Sequence, residues 1–420
     1  MADAMREGLS LRPFRELRPA VDTTRLGRLL CPPYDVIDDS ERAQLLATDP
    51  DNAVGVILPE TVQGGDPYLD AAHRLERAVS RGLLATDADS ALYVYEMQDP
   101  NGAATRGLLG AVELRDPADG VILPHENTMA GPVADRLALM AATQANLEPI
   151  YLVYDGGGAA SEVVSSVDAQ PAIAEARTPD GIQHRLWALT DRQSHRAIAA
   201  DLETRRAMIA DGHHRYATYR ELQQRYRAER GSGPWDHGLT LLVDSSNYGP
   251  QVHAIHRVLR TVGLDTALIS AAALGRVVDV PTVDAGLRLA AAAVGFAVLL
   301  TDGTRVALLT DPAGNLSAAA TRSGEPRSLA QLDVTVLHRA LVEHVLGLED
   351  TVEVVGYAHS VAEAISAAQR CAGTAVLLRP TPVAAVAAVA AAGGRMPRKS
   401  TLFTPKPASG LVMRRFVDER

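Results

Sequence analysis

The sequence predicts a mixed α/β fold made of two successive units. Short runs rich in β-branched and aromatic residues, typical of strands, alternate with stretches that repeat apolar residues at helical spacing. Proline, glycine and polar clusters punctuate the first part of the chain, whereas the part after about residue 260 is rich in Ala, Val and Leu. We therefore predict an N-terminal half, 1–260, and a C-terminal α/β unit, 261–420.

Strands and helices are predicted in both parts from the same two periodicities. In the N-terminal half they are a helix over 68–81, paired strands over 91–96 and 107–113, a helix over 133–147, a strand over 149–154, and a strand ending at 207–210 before a helix over 216–227. In the C-terminal unit they are a hairpin of 294–300 and 305–309, a helix over 332–346, a strand over 352–357, a helix over 361–369, a strand over 374–378 and an alanine-rich helix ending at Ala392.

Composition narrows the class of protein. The chain of 420 residues carries a formal charge of −10, which disfavours binding to a nucleic-acid backbone. Cys31 and Cys371 are too few for a disulfide framework and lack zinc-ligand spacing. The first 17 residues contain no apolar secretory core, and no apolar run reaches the roughly 20 residues of a membrane span. These features predict a cytoplasmic protein without a membrane partner, and they disfavour a nucleic acid as partner without excluding it.

The segment Asp211-Gly212-His213-His214-Arg215 is the strongest candidate site. It follows an apolar run and precedes a helical stretch, so Asp211 is predicted to cap a helix while Gly212 lets the backbone approach a ligand closely. The start of a helix presents backbone N–H groups and partial positive charge, which suit a phosphate. Arg215 is predicted to add a bidentate grip, and the two histidines to donate hydrogen bonds or move protons. The alternative is a buried capping turn without a ligand.

A metal site is a weaker interpretation of the same segment. Adjacent histidines at a helix start point in different directions, and no second His or Cys pair accompanies them at zinc-ligand spacing. An Mg²⁺ ion that arrives with a nucleotide needs only one or two carboxylates, and Asp211 is the candidate for one of them.

His125-Glu126 forms a second candidate, in a loop between a strand and a helix. A carboxylate beside a histidine is a suitable general base for a hydroxyl group. The alternative is a surface turn with a solvated glutamate.

The third candidate is the segment 396–403, which contains Lys399-Ser400. It is not a Walker motif, because Arg398 stands where that motif requires glycine. Its basic residues, together with Arg395 and Lys406, suggest an anion-binding role for Lys399 and Ser400. The alternative is a solvated basic loop.

These segments together resemble a bacterial and archaeal family known only as a domain of unknown function (number 1015). The resemblance runs from about Leu11 to Val412 and is carried by several motifs in order: Pro32-Pro33-Tyr34-Asp35-Val36-Ile37, His125-Glu126, Asp135-Arg136-Leu137, Ala210-Asp211-Gly212-His213-His214-Arg215-Tyr216, His256-Arg257-Val258, Met396-Pro397, Lys399-Ser400-Thr401, Pro405-Lys406 and Ser409-Gly410-Leu411-Val412.

A second resemblance concerns the segment 211–215 alone. It is similar to the phosphate-binding box of the ParB/sulfiredoxin superfamily, and most of all to the box of the free-serine kinases, which also have an upstream His-Glu pair. The resemblance implies a ParB/sulfiredoxin-like N-terminal half, ATP or ADP with Mg²⁺ as cofactors, Glu126 as the base, and 211–215 as the phosphate and catalytic box.

Three hypotheses follow for the function. The first is a small-molecule kinase that transfers a nucleotide phosphoryl group to a hydroxylated metabolite, with free serine as one candidate. In it His125, Glu126, Asp211, His213 and His214 are the catalytic candidates. The second is a ParB-type nucleotide switch without kinase activity, and the third is a binding or scaffold protein. The expected partners are a nucleotide and a small-molecule substrate, and a homodimer is left open.

Overall fold

The computed structural model describes residues 7–61 and 64–419 and divides them into two compact units. The first unit consists of 7–61, 64–124, 128–250 and 405–419, and the second of 125–127 and 251–404. The first six residues of the predicted N-terminal half lie outside the described residues. The predicted boundary between the two units lies at residue 260. In the structure, residues 405–419 belong to the first unit and the three-residue segment 125–127 belongs to the second.

The first unit is organised around a nine-stranded mixed sheet. Its helices are α1 (Thr23–Leu29), α2 (Asp39–Thr48), α3 (Val54–Ile57), α4 (Pro67–Ser80), α5 (Ala130–Thr143), α6 (Ala159–Ser166), α7 (Arg192–Leu202) and α8 (His213–Arg230). Its strands, up to residue 250, are β1 (Leu11–Arg12), β2 (Leu17–Pro19), β3 (Leu84–Thr86), β4 (Leu92–Gln98), β5 (Ala104–Glu113), β6 (Ile122–Leu123), β7 (Ala145–Asn146), β8 (Ile150–Tyr154), β9 (Ala174–Arg177), β10 (Gln183–Leu189), β11 (Ala207–Asp211) and β12 (His237–Asp244).

The order of strands in this sheet is β6-β11-β8-β12-β5-β4-β10-β9, and β1 also pairs with β5. The predicted pairing of β4 with β5 is confirmed as an antiparallel ladder. Strand β11 is parallel to β6 and antiparallel to β8, and its register shifts between Ile209 and Asp211. Such an irregularity redirects side chains at the end of a strand. The site described below begins at this end of β11.

The second unit contains a smaller, six-stranded sheet. Its helices are α9 (Leu264–Ala271), α10 (Val283–Ala292), α11 (Asn315–Ala319), α12 (Arg327–Ala330), α13 (Asp333–Val336), α14 (Val361–Cys371) and α15 (Val383–Ala391), and a π-helix spans Leu337–Val345. Its strands are β13 (Gln251–His253), β14 (His256–Leu259), β15 (Arg276–Val280), β16 (Ala297–Thr301), β17 (Val306–Thr310), β18 (Val355–Ala358), β19 (Thr374–Leu377) and β20 (Leu402–Thr404).

The order in the smaller sheet is β15-β17-β16-β19-β14-β18, and β13 pairs separately with β20. The hairpin predicted around Asp302-Gly303 is confirmed as β16 and β17. The helix predicted over 332–346 is wrong in part, because α13 passes into a π-helix at Leu337. After β20 the chain returns to the first unit, where β21 (Arg414–Arg415) pairs with β7.

Candidate functional site

The predicted strand–glycine–helix turn is present at the end of β11. Gly212 adopts φ +91° and ψ +31°, the left-handed region, and directly precedes the 18-residue helix α8. A residue with a Cβ would be strained there, and the Cβ would lie 3.0 Å from Nε of Arg215. Gly212 is partly exposed, whereas His213 and Arg215 in the first turn of α8 are buried.

Asp211 does not cap α8, which corrects the prediction. It is the last residue of β11, and Gly212 occupies the N-cap position, with no side-chain hydrogen bond to the cap. Instead, the carboxylate of Asp211 forms ion pairs with Arg215 and with Lys406. The single glycine between Asp211 and the helix moves the carboxylate away from the N–H groups it was predicted to satisfy.

Arg215 lies beneath the turn, where its guanidinium binds other protein groups, and its grip on a phosphate stays a prediction. Its guanidinium is only 4% exposed, donates from Nη1 to the carbonyl of Pro149 at 2.6 Å, and pairs with Asp211 through Nη2. Although burial opposes the charged form, Glu148 and Asp211 raise the pKa of Arg215. Arg215 therefore holds the turn in place from below.

The two histidines of the turn lie at different depths. His213 is 7% exposed, whereas His214 is partly exposed. Nε2 of His214 accepts a hydrogen bond from the backbone N–H of Met129 at 3.1 Å, and Met129 is the N-cap residue of α5. An accepting Nε2 belongs to the neutral imidazole with its proton on Nδ1. His214 thus ties the start of α5 to the start of α8.

Lys406 is a residue of this site that the sequence analysis placed only in a basic cluster. Its Nζ lies 2.6 Å from Oδ1 of Asp211 and 2.9 Å from Oδ2 of Asp35, and its side chain is 15% exposed. Burial opposes the charged form, but the two carboxylates raise the pKa of Lys406 above its ordinary value. Lys406 therefore joins the Pro-Pro-Tyr-Asp segment to the turn.

A signal for Lys406 was available in the composition. Only two of the 41 lysine and arginine residues are lysine, namely Lys399 and Lys406. Lysine presents a compact ammonium with three donors, whereas arginine presents a planar guanidinium, so the two are not interchangeable at a site of defined geometry.

Glu148 connects further motif residues in the same unit. Its Oε1 accepts hydrogen bonds from the backbone N–H of Tyr34 at 3.1 Å and from Oγ of Ser409 at 2.8 Å. The guanidinium of Arg136 stacks over the ring of Tyr34 at 4.3 Å. Burial raises the pKa of Tyr34 to about 12, so this phenol is protonated at neutral pH.

The motif segments of the first unit therefore converge on one polar cluster. Its members are Tyr34, Asp35, Arg136, Glu148, Asp211, Arg215, Lys406 and Ser409. A cavity of about 20 Å³ between α5 and α8 is lined by Arg136, Glu148 and Arg215 among others. This volume accommodates about one water molecule.

The other predicted site residues belong to the second unit, where the His-Glu segment and the 396–403 segment lie together. The carbonyl of His125 accepts from the N–H of Met396 at 2.8 Å, and Nε2 of His125 is 3.2 Å from Oγ1 of Thr401. His125 is fully buried and Glu126 is partly exposed. The structure thus brings the second and third candidate segments into contact.

Arg257 fixes the loop that carries Lys399 and Ser400. This fully buried guanidinium donates from Nη2 to the carbonyl of Lys399 at 2.9 Å. Lys399 adopts φ +53°, the left-handed region that favours glycine, and its side chain is exposed. Ser400 is buried and its Oγ donates to the carbonyl of Pro397 at 2.5 Å. A strained non-glycine residue persists only where its surroundings hold it, and such residues concentrate at functional sites.

Arg257 is itself held by a histidine and an aspartate. Its Nε donates to Nε2 of His338 at 2.9 Å, and Nδ1 of His338 lies 2.9 Å from Oδ2 of Asp350. Burial lowers the pKa of Arg257 to about 10, and it lowers the pKa of His338 as well. Because Nε2 accepts from a guanidinium, His338 is the neutral tautomer with its proton directed to Asp350.

Residues 11–335 match the family model described as "Protein of unknown function (DUF1015)", which is more than half of the chain. The chain belongs to the DUF1015 family. In this DUF1015 protein the matched range covers every motif of the first unit except the return of the chain at 405–419. No curated protein matches the sequence.

Solved structures resemble this DUF1015 protein at low identity. A free serine kinase in complex with AMP shares 12% identity with a TM-score of 0.33, over 67% of this chain and 83% of the other. SbnI from Staphylococcus aureus, with a C-terminal truncation, shares 11% identity with a TM-score of 0.35, over 72% and 85% of the chains. A conserved hypothetical protein from Pyrococcus furiosus shares 13% identity with a TM-score of 0.34, over 71% and 94%.

The donor set at Asp211 does not fit a divalent cation. Both oxygens of its carboxylate already pair with cationic side chains, Arg215 and Lys406, so an Mg²⁺ ion at Asp211 would require these pairs to open, and this role of Asp211 stays a prediction. Over residues 7–61 and 64–419 there is no group of three His, Cys, Asp or Glu side chains placed to hold a metal ion. Within the same ranges no helix combines the length and apolar character needed to cross a bilayer.

Proposed function

We propose that this DUF1015 protein is a nucleotide-dependent phosphotransferase, and that the turn 211–215 binds the phosphates of ATP or ADP. The observation that carries the proposal is Gly212 in the left-handed region, partly exposed, at the start of an 18-residue helix. Backbone N–H groups at such a turn bind anions through hydrogen bonds and the helix dipole. The proposal includes a ParB/sulfiredoxin-like fold for the N-terminal half.

The charges around the turn are compatible with a phosphate. The carboxylate of Asp211 would repel an anion if it were alone, but it is compensated by Lys406 and Arg215. In this proposal the backbone of Gly212 and the first turn of α8 bind the phosphates directly. Arg215 and Lys406 act from behind by holding the turn and neutralising Asp211. Mg²⁺ would arrive bound to the nucleotide phosphates and would not require Asp211.

The acceptor in this proposal is a small hydroxylated metabolite, with free serine as one candidate. Glu126 is the base that the resemblance to the free-serine kinases implies, and it would take the proton of the acceptor hydroxyl. Its role is a proposal to be tested by kinetics. The competing hypothesis is a nucleotide switch that has no small-molecule acceptor, and the same assay tests it.

The experiment is a turnover assay with the full chain, ATP or ADP, Mg²⁺ and a panel of hydroxy amino acids and sugars, with phosphorylated product measured by mass spectrometry. Wild-type protein is compared with Glu126→Gln and with Glu353→Gln, which removes an exposed glutamate of the same unit. A kinase gives product with at least one acceptor, loses 100-fold or more of its kcat in Glu126→Gln, and is unchanged in Glu353→Gln. Nucleotide hydrolysis without any phosphorylated acceptor contradicts the kinase and favours the switch.

A further inference from the structure

The second unit contains a cavity of about 510 Å³ that the phosphotransferase proposal does not use. It lies between the π-helix, the segment 322–329 and the turn 392–397. Its volume is in the range of sites that bind small metabolites. Six charged side chains line it: Arg322, Arg339, Arg395, Glu325, Glu343 and Asp350.

The charges of this lining balance one another. Three guanidinium groups and three carboxylates give no net charge, so neither a simple anion nor a simple cation is favoured by the field of the cavity as a whole. Nη2 of Arg322 is 2.7 Å from Oε2 of Glu343, and both side chains are exposed to more than a third of their surface. Arg339 and Glu325 form the second ion pair.

The carboxylate of Asp350 is only partly hydrogen-bonded. Its Oδ2 pairs with Nδ1 of His338, whereas its Oδ1 is buried and has no hydrogen-bond partner among the residues that the structure describes. A buried carboxylate oxygen without a donor is costly, and a positive charge nearby offsets that cost. His338 is 2% exposed and also bonded to Arg257, so Asp350 is held from behind.

One wall of the cavity is formed by a π-helix, an uncommon backbone conformation. His338, Arg339 and Glu343 lie on the π-helix Leu337–Val345, and π-helical segments occur frequently at functional sites. Leu329, Met396 and Pro397 also line the cavity. The lining is therefore mainly polar and charged, which suits a small polar ligand.

We propose that this cavity binds a small zwitterion, a molecule with one carboxylate and one ammonium group. A guanidinium binds a carboxylate through two parallel hydrogen bonds, and the negative charge of Asp350 attracts an ammonium. A ligand with both groups leaves the cavity neutral, whereas a ligand with only one leaves a charge uncompensated. The class that this chemistry selects is that of free α-amino acids. The site lies within the second unit and does not depend on the nucleotide reaction.

The test is isothermal titration calorimetry on the full chain without nucleotide. The ligands are L-alanine and L-serine as zwitterions, lactate with the carboxylate alone, ethanolamine with the ammonium alone, and glucose as an uncharged polyol. The proposal expects at least one zwitterion to bind at least tenfold more tightly than the other three classes. Equal binding of lactate or ethanolamine, tighter binding of glucose, or no binding of either zwitterion would overturn it.

Substitutions of lining residues test whether the zwitterion binds in this cavity. Arg322→Gln and Glu343→Gln change exposed lining residues and are expected to weaken zwitterion binding at least tenfold. Arg305→Gln, an exposed arginine on the turn between β16 and β17 that does not line the cavity, is the matched control and is expected to bind like wild type. Wild-type affinity in both lining variants overturns the proposal. Gly212→Ala distinguishes the two proposals, because it is expected to leave zwitterion binding unchanged while it weakens nucleotide binding at least tenfold.

Discussion

The ammonium of Lys406 lies 2.6 Å from a carboxylate oxygen of Asp211, at the turn that precedes α8. The two residues are far apart in sequence and meet because the chain returns to the first unit at residue 405. The contact neutralises the carboxylate nearest to Gly212, and a phosphate site at this turn depends on it.

Removing this cation should destabilise the protein. In Lys406→Met the carboxylates of Asp211 and Asp35 lose a largely buried partner, and breaking such a pair from one side costs about 3 kcal/mol. Chemical denaturation measures the change in the free energy of unfolding. The matched control is Lys399→Met, the other lysine of the chain, whose side chain is exposed and which should change stability by no more than about 0.5 kcal/mol. Equal stabilities of the two variants would argue against the ion pairs.

The pKa of Lys406 should be measurable without interference, since the chain has only two lysines. A protein labelled with ¹³C-lysine gives two Cε resonances, which Lys399→Arg assigns. The pKa of Lys406 is raised by Asp211 and Asp35 against the effect of burial, so its resonance should titrate above the ordinary value of 10.5. The corresponding stability is present below pH 10.5 and is lost as the pH rises through the raised value. A Lys406 resonance that titrates at or below 10.5 is incompatible with the contacts described.

Glu16 should make stability depend on pH in the opposite sense to a surface carboxylate. Burial, and the nearby charge of Asp87, raise its pKa from 4.5 to about 8 despite the ion pair with Arg18. The folded protein therefore holds a proton that the unfolded chain releases, so this contribution is greatest below pH 4.5 and falls as the pH rises to 8. Glu16→Gln should gain stability relative to wild type by several kcal/mol between pH 5 and pH 8 in urea denaturation.

The exposed Glu175 provides the control for this measurement. Glu175→Gln should keep a constant difference from wild type over the same range. A Glu16→Gln variant that behaves like Glu175→Gln would show that Glu16 is ionised in the folded protein at pH 5.

Substitution of the two glycines that flank α8 distinguishes backbone strain from a loss of ligand binding. Gly212 precedes the helix and Gly231 follows it, both at positive φ, so alanine at either position should cost roughly 1–3 kcal/mol. At Gly212 the added methyl would lie 3.0 Å from Nε of Arg215 and would displace the turn, whereas at Gly231 no atom of the described residues lies within 4 Å of it. Gly212→Ala should therefore weaken ADP binding at least tenfold, while Gly231→Ala binds like wild type. Isothermal titration calorimetry with ADP measures the affinity of each variant. Equal affinities in the two variants would show that the turn is not part of the nucleotide site.

The sequence was sufficient where the structure is set by neighbouring residues. The strand, glycine and helix at 207–230 follow from local periodicity, and so do the pairing of β4 with β5 and the hairpin of β16 and β17. These elements depend on contacts over short stretches of chain, which alternating and helical patterns encode directly.

The sequence was insufficient where distant segments meet. The ion pair of Asp211 with Lys406 could not be read from the residues around Asp211, because the two are far apart in the sequence. The π-helix was missed because its apolar spacing is compatible with an α-helix over the same residues. The network of Arg257, His338 and Asp350 joins three separate segments, and no local sequence motif predicts it.

The most direct measurement is an experimental structure of the full chain with ADP. Phosphate oxygens within hydrogen-bond distance of the backbone nitrogens at the start of α8, next to Gly212, are the predicted result. ADP bound elsewhere in the molecule, with no phosphate at this turn, would contradict the proposed site.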